Sequence, residues 1–486
     1  MILNTKIHPK RKIAIIGGGI AGSTAAIHLS EMGLDVTLLE KGPSLVNGPP
    51  ICHLHAGGNL YREISEQQCL ELLRQSIETV RLYPHSLNIR PTVIAVPHSD
   101  GGDPNELLPR LKSVANAYQS LVEESIDNQV LGNPKDYYKL YSLSDLQELA
   151  LKTQPKQPRS IDDWVIPFAQ YTDLSALKYP VVAVQEFGMS VFRLSATANI
   201  ALERNPNCTV MTETSLTNAQ WNQDHWTLSY EQVSGHTSTF EADFLINASG
   251  FETGKIDDYL GKQRDRLVEF KAAYVTHWPD CSDEWPEVIF HGPRGTPQGM
   301  AQLTPYADGY FQLHGMTEGI TLFEDGLVTS DSSSSQPQLP KRLLKKINSG
   351  WSNEVIHQRS TSAIEHMSQF IPSYMSSTVA GKPLFGAQQI PGSDPSLRAA
   401  DVSFEGERYA RIEVVKASSA LEAARKISTF WFDSLGFEGD ETSLPSYPVT
   451  CDLSRYEVEE RALQLAKERH YPQSLAKISG VQSQNS

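Results

Sequence analysis

The chain has 486 residues, of which 40% are hydrophobic and 20% charged, and its formal net charge is −15 at pH 7. This length predicts two or three structural lobes, and the composition excludes a disordered or fibrous chain. The negative charge would repel a phosphate backbone, so we expect no nucleic-acid partner.

The cysteine content and the hydropathy of the chain indicate in which cellular compartment we expect the protein. The five cysteines are widely spaced and form no C-x-x-C pair, so no zinc or iron-sulfur site is expected. Their odd number favours a reducing, cytoplasmic location. The basic start resembles that of a signal peptide, but three consecutive glycines break the apolar run that follows. No window reaches the roughly 18 apolar residues of a membrane span, and peripheral membrane contact stays open.

The first forty residues predict a strand, a tight turn, a helix and a second strand. The apolar runs Lys12–Ile16 and Asp35–Leu39 have the length and composition of buried strands. Between them, residues 17–19 form the turn and residues 20–32 the helix, which ends before Gly33. This order is the first half of a βαβ unit.

The turn contains the spacing G-x-G-x-x-G, in which each glycine has a physical role. Gly17 permits the tight turn, Gly19 lets backbone approach a pyrophosphate, and Gly22 lets the helix pack closely on the strand. The helix start offers free N–H groups to phosphates, and Glu40 ends the second strand where ribose hydroxyls would lie. FAD and NAD share this ADP half, so the motif leaves both open. The residues expected at it are Gly17, Gly19, Ile20, Ala21, Gly22, Glu40 and Lys41.

Further elements follow in chain order. Residues 66–160 are polar with helical spacing and predict an inserted helical lobe. A helix at 190–204 precedes strands at 208–211, 226–230 and 240–246, the last of which returns to the first sheet. Short strands at 271–323 suit an antiparallel lobe, and the Ser/Pro-rich segment 330–340 predicts an exposed loop. Beyond it we expect helices at 362–370, 418–430 and 455–470, and a strand at 408–415.

Three segments carry a family resemblance. The segments IIGGGIAGSTAA, Glu40-Lys41 and DFLINASG together resemble the D-amino-acid-oxidase-like FAD superfamily. The resemblance implies an α/β fold: a doubly wound, Rossmann-like FAD domain with an antiparallel substrate domain, each discontinuous in sequence. It implies FAD as the cofactor. The implied division is 1–65, 180–265 and 380–430 for FAD, 66–179 and 266–379 for substrate, and a helical tail at 431–486.

Two further segments extend the resemblance. The stretch ICHLHAGGNLYREIS is similar to the flavin-contacting loop of L-2-hydroxyglutarate and malate:quinone oxidoreductases. The junction at Lys416 resembles the late strand-to-helix turn whose N–H groups meet the flavin, although Ala and Ser replace the usual glycines. The implied additional cofactor residues are His55, Ala56, Gly57, Val210, Ala248, Ser249, Gly250, Lys416, Ala417 and Ser418.

The chemistry of such an enzyme needs a base and a carboxylate-binding group. Histidine suits the base because its ordinary pKa is near 6.5, and His55 and His314 are the main candidates, with His53 behind them. Arginine suits the carboxylate, and Arg294 lies in a glycine-rich loop beside the substrate lobe. Each of these residues also has an ordinary structural explanation. Other residues considered for the pocket are Arg62, Arg398, Arg411, Gln302, Tyr306 and Gln388.

Three functions remain open from sequence. The leading one is transfer of a hydride from a small amino or 2-hydroxy acid to flavin N5, with electrons passing to oxygen or quinone. The second is a flavin monooxygenase, for which Asp325-Gly326 is the only candidate second motif. The third is a flavin-binding scaffold without catalysis. Substrate identity, covalent flavin attachment and oligomeric state have no sequence signal.

Overall fold

The computed structural model of the chain describes residues 11–48, 54, 58, 64–398, 402–406, 408–432 and 446–478. Its strands are β1 (Lys12–Ile16), β2 (Asp35–Leu39), β3 (Leu87–Asn88), β4 (Thr92–Pro97), β5 (Tyr138–Tyr141), β6 (Leu177–Val184), β7 (Gly188–Met189), β8 (Cys208–Met211), β9 (Thr214–Asn222), β10 (His225–Gln232), β11 (Thr237–Ala242), β12 (Phe244–Asn247), β13 (Arg266–His277), β14 (Glu287–Phe290), β15 (Ala301–Pro305), β16 (Tyr310–Gly315), β17 (Leu327–Thr329), β18 (Thr378–Val379), β19 (Leu384–Pro391), β20 (Val402–Phe404) and β21 (Tyr409–Ile412).

The helices of the same residues follow in chain order. They are α1 (Ile20–Glu31), α2 (Glu66–Leu82), α3 (Leu108–Glu124), α4 (Leu143–Ala150), α5 (Ile161–Tyr171), α6 (Val191–Arg204), α7 (Thr253–Tyr259), α8 (Lys341–Ser349), α9 (Asn353–Ser368), α10 (Ala420–Phe432), α11 (Pro448–Cys451) and α12 (Arg455–Glu468).

The first sheet has the order β20-β21-β12-β1-β2-β8, and its strands are parallel except for the edge strand β20. β1 is apolar and buried after its first residue, Lys12, because helices and strands cover both of its faces. Ile16 at its end is in register with Leu39 of β2 and Asn247 of β12. The carboxyl ends of three strands therefore meet at the glycine turn, which is where open α/β sheets bind ligands.

The second sheet is built around the long strand β13. Its order is β17-β13-β16-β15-β14-β4-β6-β5, and β18 and β19 also pair with β13. The pairs are antiparallel except for β14 with β4, so the sheet is mixed where the sequence predicts a purely antiparallel one. Together the two sheets confirm the predicted fold class of a Rossmann-like domain with a second sheet domain.

The structure differs from the sequence-based expectations of secondary structure or of domain at three places. β4 and β5 belong to the second sheet, although their segment reads as helical. β19 also joins that sheet, although residues 380–430 were predicted for the FAD domain. α2 packs in the core of the first sheet, where Leu72 and Leu73 are fully buried. Strand pairing between distant segments decides the positions of β4, β5 and β19, and core packing decides that of α2; local periodicity reports neither.

Residues 330–340 and helix α12 both pack against the rest of the fold. Residues 330–340 were predicted to be an exposed loop, but Ser335 and Gln336 are buried because Arg264 N–H donates to Ser335 Oγ and Gln336 Nε2 donates to a backbone carbonyl. The helix α12 packs through Val458, Ala462 and Leu465 in one core with residues of α6. Within the described ranges, no helix has both the length and the apolar character needed to cross a membrane.

Candidate active site

A cavity of about 960 Å³ lies between the glycine turn and the second sheet. Its size is near the upper end of the roughly 300–1,000 Å³ found for cofactor and ligand sites. The first wall includes Gly19, Ile20, Ala21, Ala248, Gly250, Lys416 and Ala417. The second wall includes Lys271, His291, Arg294, Gln302, His314, Gln388 and Arg398. One continuous space therefore joins the predicted cofactor residues to the predicted substrate residues.

The glycine turn has the close contacts that the motif predicts. A Cβ on Gly17, whose φ is +101°, would lie 2.4 Å from the carbonyl oxygen of Ala248. A Cβ on Gly22 would lie 1.8 Å from the carbonyl oxygen of Gly17. Gly19 has nothing within 4 Å of its missing Cβ, and no described side chain caps the start of α1 there. The open space and uncapped helix start fit a bound pyrophosphate.

Glu40 stands at the end of β2, as expected from its sequence position. Its carboxylate accepts hydrogen bonds from the N–H of Gly18 at 2.7 Å and of Gly42 at 2.6 Å. Each carboxylate oxygen can accept further bonds, so these contacts fix the side chain and leave lone pairs for ribose hydroxyls. Turn and carboxylate together fit the ADP half of FAD.

The strand-to-helix junction after β21 borders the same cavity. Lys416 precedes a 3₁₀ turn at Ala417–Ser419, which continues directly into α10. Lys416 and Ala417 line the cavity, and Ser418 is buried behind them. Ser418 Oγ has no hydrogen-bond partner among the described residues. The junction thus presents a helix start to the cavity, as the family resemblance implies.

Other predicted cofactor residues lie away from this lining or outside the described residues. Lys41 Nζ forms an ion pair with Glu252 and lies 5.6 Å from the centre of the Phe251 ring. Val210 is paired with Leu38 inside the first sheet. Ser249 Oγ donates to the Ile16 carbonyl at 3.2 Å. His53, His55, Ala56, Gly57 and Arg62 fall outside the described residues.

The second wall carries a charged cluster of Glu269, Lys271 and Arg294. Lys271 Nζ lies 2.7 Å from Glu269 Oε2, and Arg294 Nη2 bonds the other oxygen of the same carboxylate. Burial lowers the pKa of Lys271, Glu269 opposes that shift, and the nearby Arg294 and Arg398 charges add to it. Two cations therefore share one carboxylate at the cavity wall.

The remaining pocket candidates divide between the cavity and other places. His314 of β16 is 9% exposed and is in register with Gln302 of β15, and both line the cavity. Arg398 also lines it, and its Nη1 donates only to the Pro395 and Leu397 backbone carbonyls among the described residues.

Three candidates have structural partners instead. Tyr306 lies at a separate small pocket and donates to Gln312 Oε1 at 3.2 Å. Arg411 is buried, with its Nε 2.6 Å from Asp257. Asp325 faces Arg342 at 3.5 Å and does not line the cavity, so it offers no second flavin motif there.

Sequence reasoning missed Glu269, Lys271 and His291. The sequence does contain a signal for Glu269 and Lys271, because residues two apart on a strand lie on the same face. Two opposite charges on one face of the otherwise apolar run of β13 mark a functional position. His291 follows β14 in an ordinary turn, and no pattern distinguishes it.

Comparisons with known proteins agree with this geometry. Residues 12–125 match the sequence model of the DAO family, described as FAD dependent oxidoreductase. A segment of 45 residues is 47% identical to the tRNA 5-methylaminomethyl-2-thiouridine biosynthesis bifunctional protein MnmC of Saccharophagus degradans. That match spans 9% of this chain and 6% of the relative.

Solved structures share the fold over most of the chain. L-amino acid deaminase from Proteus vulgaris is 12% identical, with 92% of this chain and 97% of that one covered and a TM-score of 0.55. L-alpha-glycerophosphate oxidase from Mycoplasma pneumoniae, solved with FAD bound, is 14% identical, with 87% and 95% covered and a TM-score of 0.54. The family match over residues 12–125, the shared fold and the glycine cradle together indicate an FAD-dependent oxidoreductase with FAD as its cofactor.

Proposed function

We propose that this chain oxidises a small amino or 2-hydroxy acid, transferring a hydride from the substrate carbon to flavin N5 and passing the electrons to oxygen or quinone. The observation that carries the proposal is the cationic second wall, where Arg294 and Arg398 line the cavity that begins at the glycine turn. A cationic wall suits a substrate with a carboxylate.

The arginines are proposed to bind and orient that carboxylate. Arg398 has no carboxylate partner among the described residues, so its guanidinium retains donors for a two-point contact. Arg294 already bonds Glu269, which fixes the direction of its side chain. Arg398 is therefore proposed as the principal carboxylate ligand, with Arg294 beside it.

Proton removal from the substrate nitrogen or oxygen is proposed for Lys271 or His314. Burial lowers the pKa of Lys271, which increases the fraction present as the neutral amine that can accept a proton. His314 is the alternative base because it lines the same cavity. FAD, when bound, supplies the two-electron acceptor for the hydride.

The primary test is anaerobic mixing of the FAD-loaded protein with a panel of amino and 2-hydroxy acids. We expect loss of flavin absorbance near ~450 nm with at least one member, because hydride transfer reduces the flavin. No loss of colour with any member would contradict the proposal. Reoxidation by air or by a soluble quinone then distinguishes the two acceptors.

A variant tests the carboxylate contact. Arg398→Gln should raise the substrate concentration for half-maximal bleaching about tenfold or more, because a charged hydrogen bond contributes roughly 1.5–3 kcal/mol. Arg342→Gln is the matched control, since Arg342 is exposed and pairs with Asp325 away from the cavity. If both variants need the same substrate concentration for half-maximal bleaching, Arg398 does not bind the substrate carboxylate.

A further inference from the structure

We propose that Arg469, far along the chain, is a positioning residue that holds residues 44–46 against the glycine turn and thereby sets the affinity for FAD. The proposal concerns cofactor binding and does not depend on which substrate is oxidised. It rests on three features: the contacts of Arg469, the backbone of Val46, and the packing of this loop on the turn.

The guanidinium of Arg469 is committed almost entirely to this loop. Nη1 donates to the Val46 carbonyl at 2.9 Å, and Nη2 donates to the Leu45 carbonyl at 2.9 Å and to Ser44 Oγ at 3.0 Å. Nη2 also donates to Ser195 Oγ at 2.8 Å, and that hydroxyl donates to the Leu45 carbonyl at 2.7 Å. Burial lowers the pKa of Arg469 to about 10, so the cation persists at neutral pH. One side chain thus joins the C-terminal segment to three successive loop residues.

The loop it holds is strained at Val46. Val46 has a φ of +53°, which lies in the left-handed region that a β-branched residue rarely adopts. Such a conformation persists only where surrounding contacts determine it. The carbonyl bond from Arg469 is one such contact, and the Val46 N–H donating to the Gly18 carbonyl at 2.8 Å is another.

The strained loop packs directly on the cofactor turn. A Cβ on Gly18 would lie 2.6 Å from Leu45 Cδ2, so these residues are in close contact. Val46 lines the cavity and is 5% exposed. Displacement of the loop would therefore move both the cavity wall at Val46 and the hydrogen bond to the Gly18 carbonyl. The cavity geometry that receives the ADP half depends on this loop.

The helix that precedes Arg469 has other anchors, which makes the contact separable. On α12, Glu457 pairs with Arg204 and Arg461 pairs with Glu203 at 2.8 Å, both on α6. Loss of Arg469 therefore leaves α12 attached to the first domain through these pairs and its apolar core. The effect of the substitution should fall on the loop.

The experiment titrates FAD into apo-protein and follows binding by quenching of flavin fluorescence. We expect Arg469→Gln to weaken FAD binding about tenfold, while Arg461→Gln on the same helix changes it less than about twofold, since exposed ion pairs contribute little. The thermal midpoint of each apo-protein is measured in parallel. An unchanged Kd in Arg469→Gln would overturn the proposal.

A second substitution separates positioning from general stabilisation. Glycine adopts positive φ without strain, so in the Val46→Gly background the loop needs less support and Arg469→Gln should weaken FAD binding less than about threefold. An undiminished tenfold effect in that background would show that Arg469 acts by stability alone and would overturn the proposal. If Arg469→Gln fails to fold, FAD binding of Arg469→Lys is measured in the parent and Val46→Gly backgrounds instead. An equal loss of affinity in both backgrounds would again overturn the proposal.

Discussion

The two walls of the cavity are built by different means. The first wall is made of glycines, alanines and a helix start, and most of its members are neighbours in the chain, as in Gly19, Ile20 and Ala21. The second wall is made of charged and amide side chains brought together by strand pairing, as when Glu269 of β13 meets Gln388 of β19. The first wall fits the ADP half of a cofactor, whereas the second is the wall proposed to bind the substrate. Because different segments build the two walls, we expect substitutions to impair cofactor binding and substrate oxidation separately.

The largest expected effect is on the first wall. Gly22→Ala would place a Cβ 1.8 Å from the carbonyl oxygen of Gly17, and backbone cannot move there without opening the turn. We expect FAD affinity to fall more than about 100-fold, which corresponds to roughly 2.7 kcal/mol. Bound flavin after gel filtration measures this loss.

The matched control is Gly33→Ala, at the other end of the α1 region. Gly33 has a positive φ of +84°, unlike Gly22, and nothing lies within 4 Å of its missing Cβ. That variant should lose about 1–2 kcal/mol of stability through backbone strain and keep its FAD affinity. If both variants lose flavin equally, then a general loss of stability, and not the close approach at the turn, determines FAD binding at the first wall.

The second expected effect is a pH dependence of the first domain through His28 of α1. Burial, with a smaller contribution from Arg425, lowers the pKa of His28 to about 3 from an ordinary 6.5. The folded state therefore keeps His28 neutral, while the unfolded state takes up a proton below pH 6.5. The free energy of unfolding should therefore decrease by about 1.4 kcal/mol for each pH unit as the pH falls from 6.5 towards 3.

Urea unfolding at pH 7 and pH 5 checks this contribution. His28→Gln should lower stability at pH 7, because His28 Nε2 lies 2.9 Å from Ser428 Oγ, but its loss between the two pH values should be smaller than in the parent chain. His236→Gln, at an exposed position, is the control for the removal of a histidine. An identical pH dependence in the parent chain and His28→Gln would be inconsistent with a neutral buried imidazole.

The same contrast explains what the sequence could predict. β1, α1 and β2 were predictable because apolar runs, a glycine triplet and Gly33 specify them locally. Ala248 and Gly250 were found through the segment DFLINASG, whose strand β12 pairs beside β1. Each of these signals lies within about a dozen residues.

Three residues at the second wall, Glu269, Lys271 and His291, escaped prediction, and for the two on β13 the reason is physical. Lys271 is opposite Gly386 in the β13–β19 pair, and the two residues are more than a hundred positions apart in the chain. No local pattern encodes that pairing, and the charged pair Glu269 and Lys271 within β13 does not by itself say which strand lies opposite. Arg294 was a candidate because it lies in a glycine-rich loop, and His314 was a candidate because it ends a predicted strand. Glu269, whose carboxylate pairs with Arg294, was not a candidate.

The smallest expected effect tests whether Lys271 or His314 is the base in the second wall. Glu269 raises the pKa of Lys271 against the effect of burial, so Glu269→Gln should lower that pKa further. If neutral Lys271 accepts the proton, kcat/KM rises with pH through its pKa, and Glu269→Gln moves this acid limb to lower pH while the plateau changes less than about tenfold. If His314 is the base, Glu269→Gln leaves the acid limb where it is in the parent enzyme and only weakens substrate binding through Arg294. Flavin content should be unchanged in either case, because Glu269 belongs to β13 and contacts no residue of the glycine turn in the described structure. A fall in bound FAD on this substitution would instead show that the two walls are coupled.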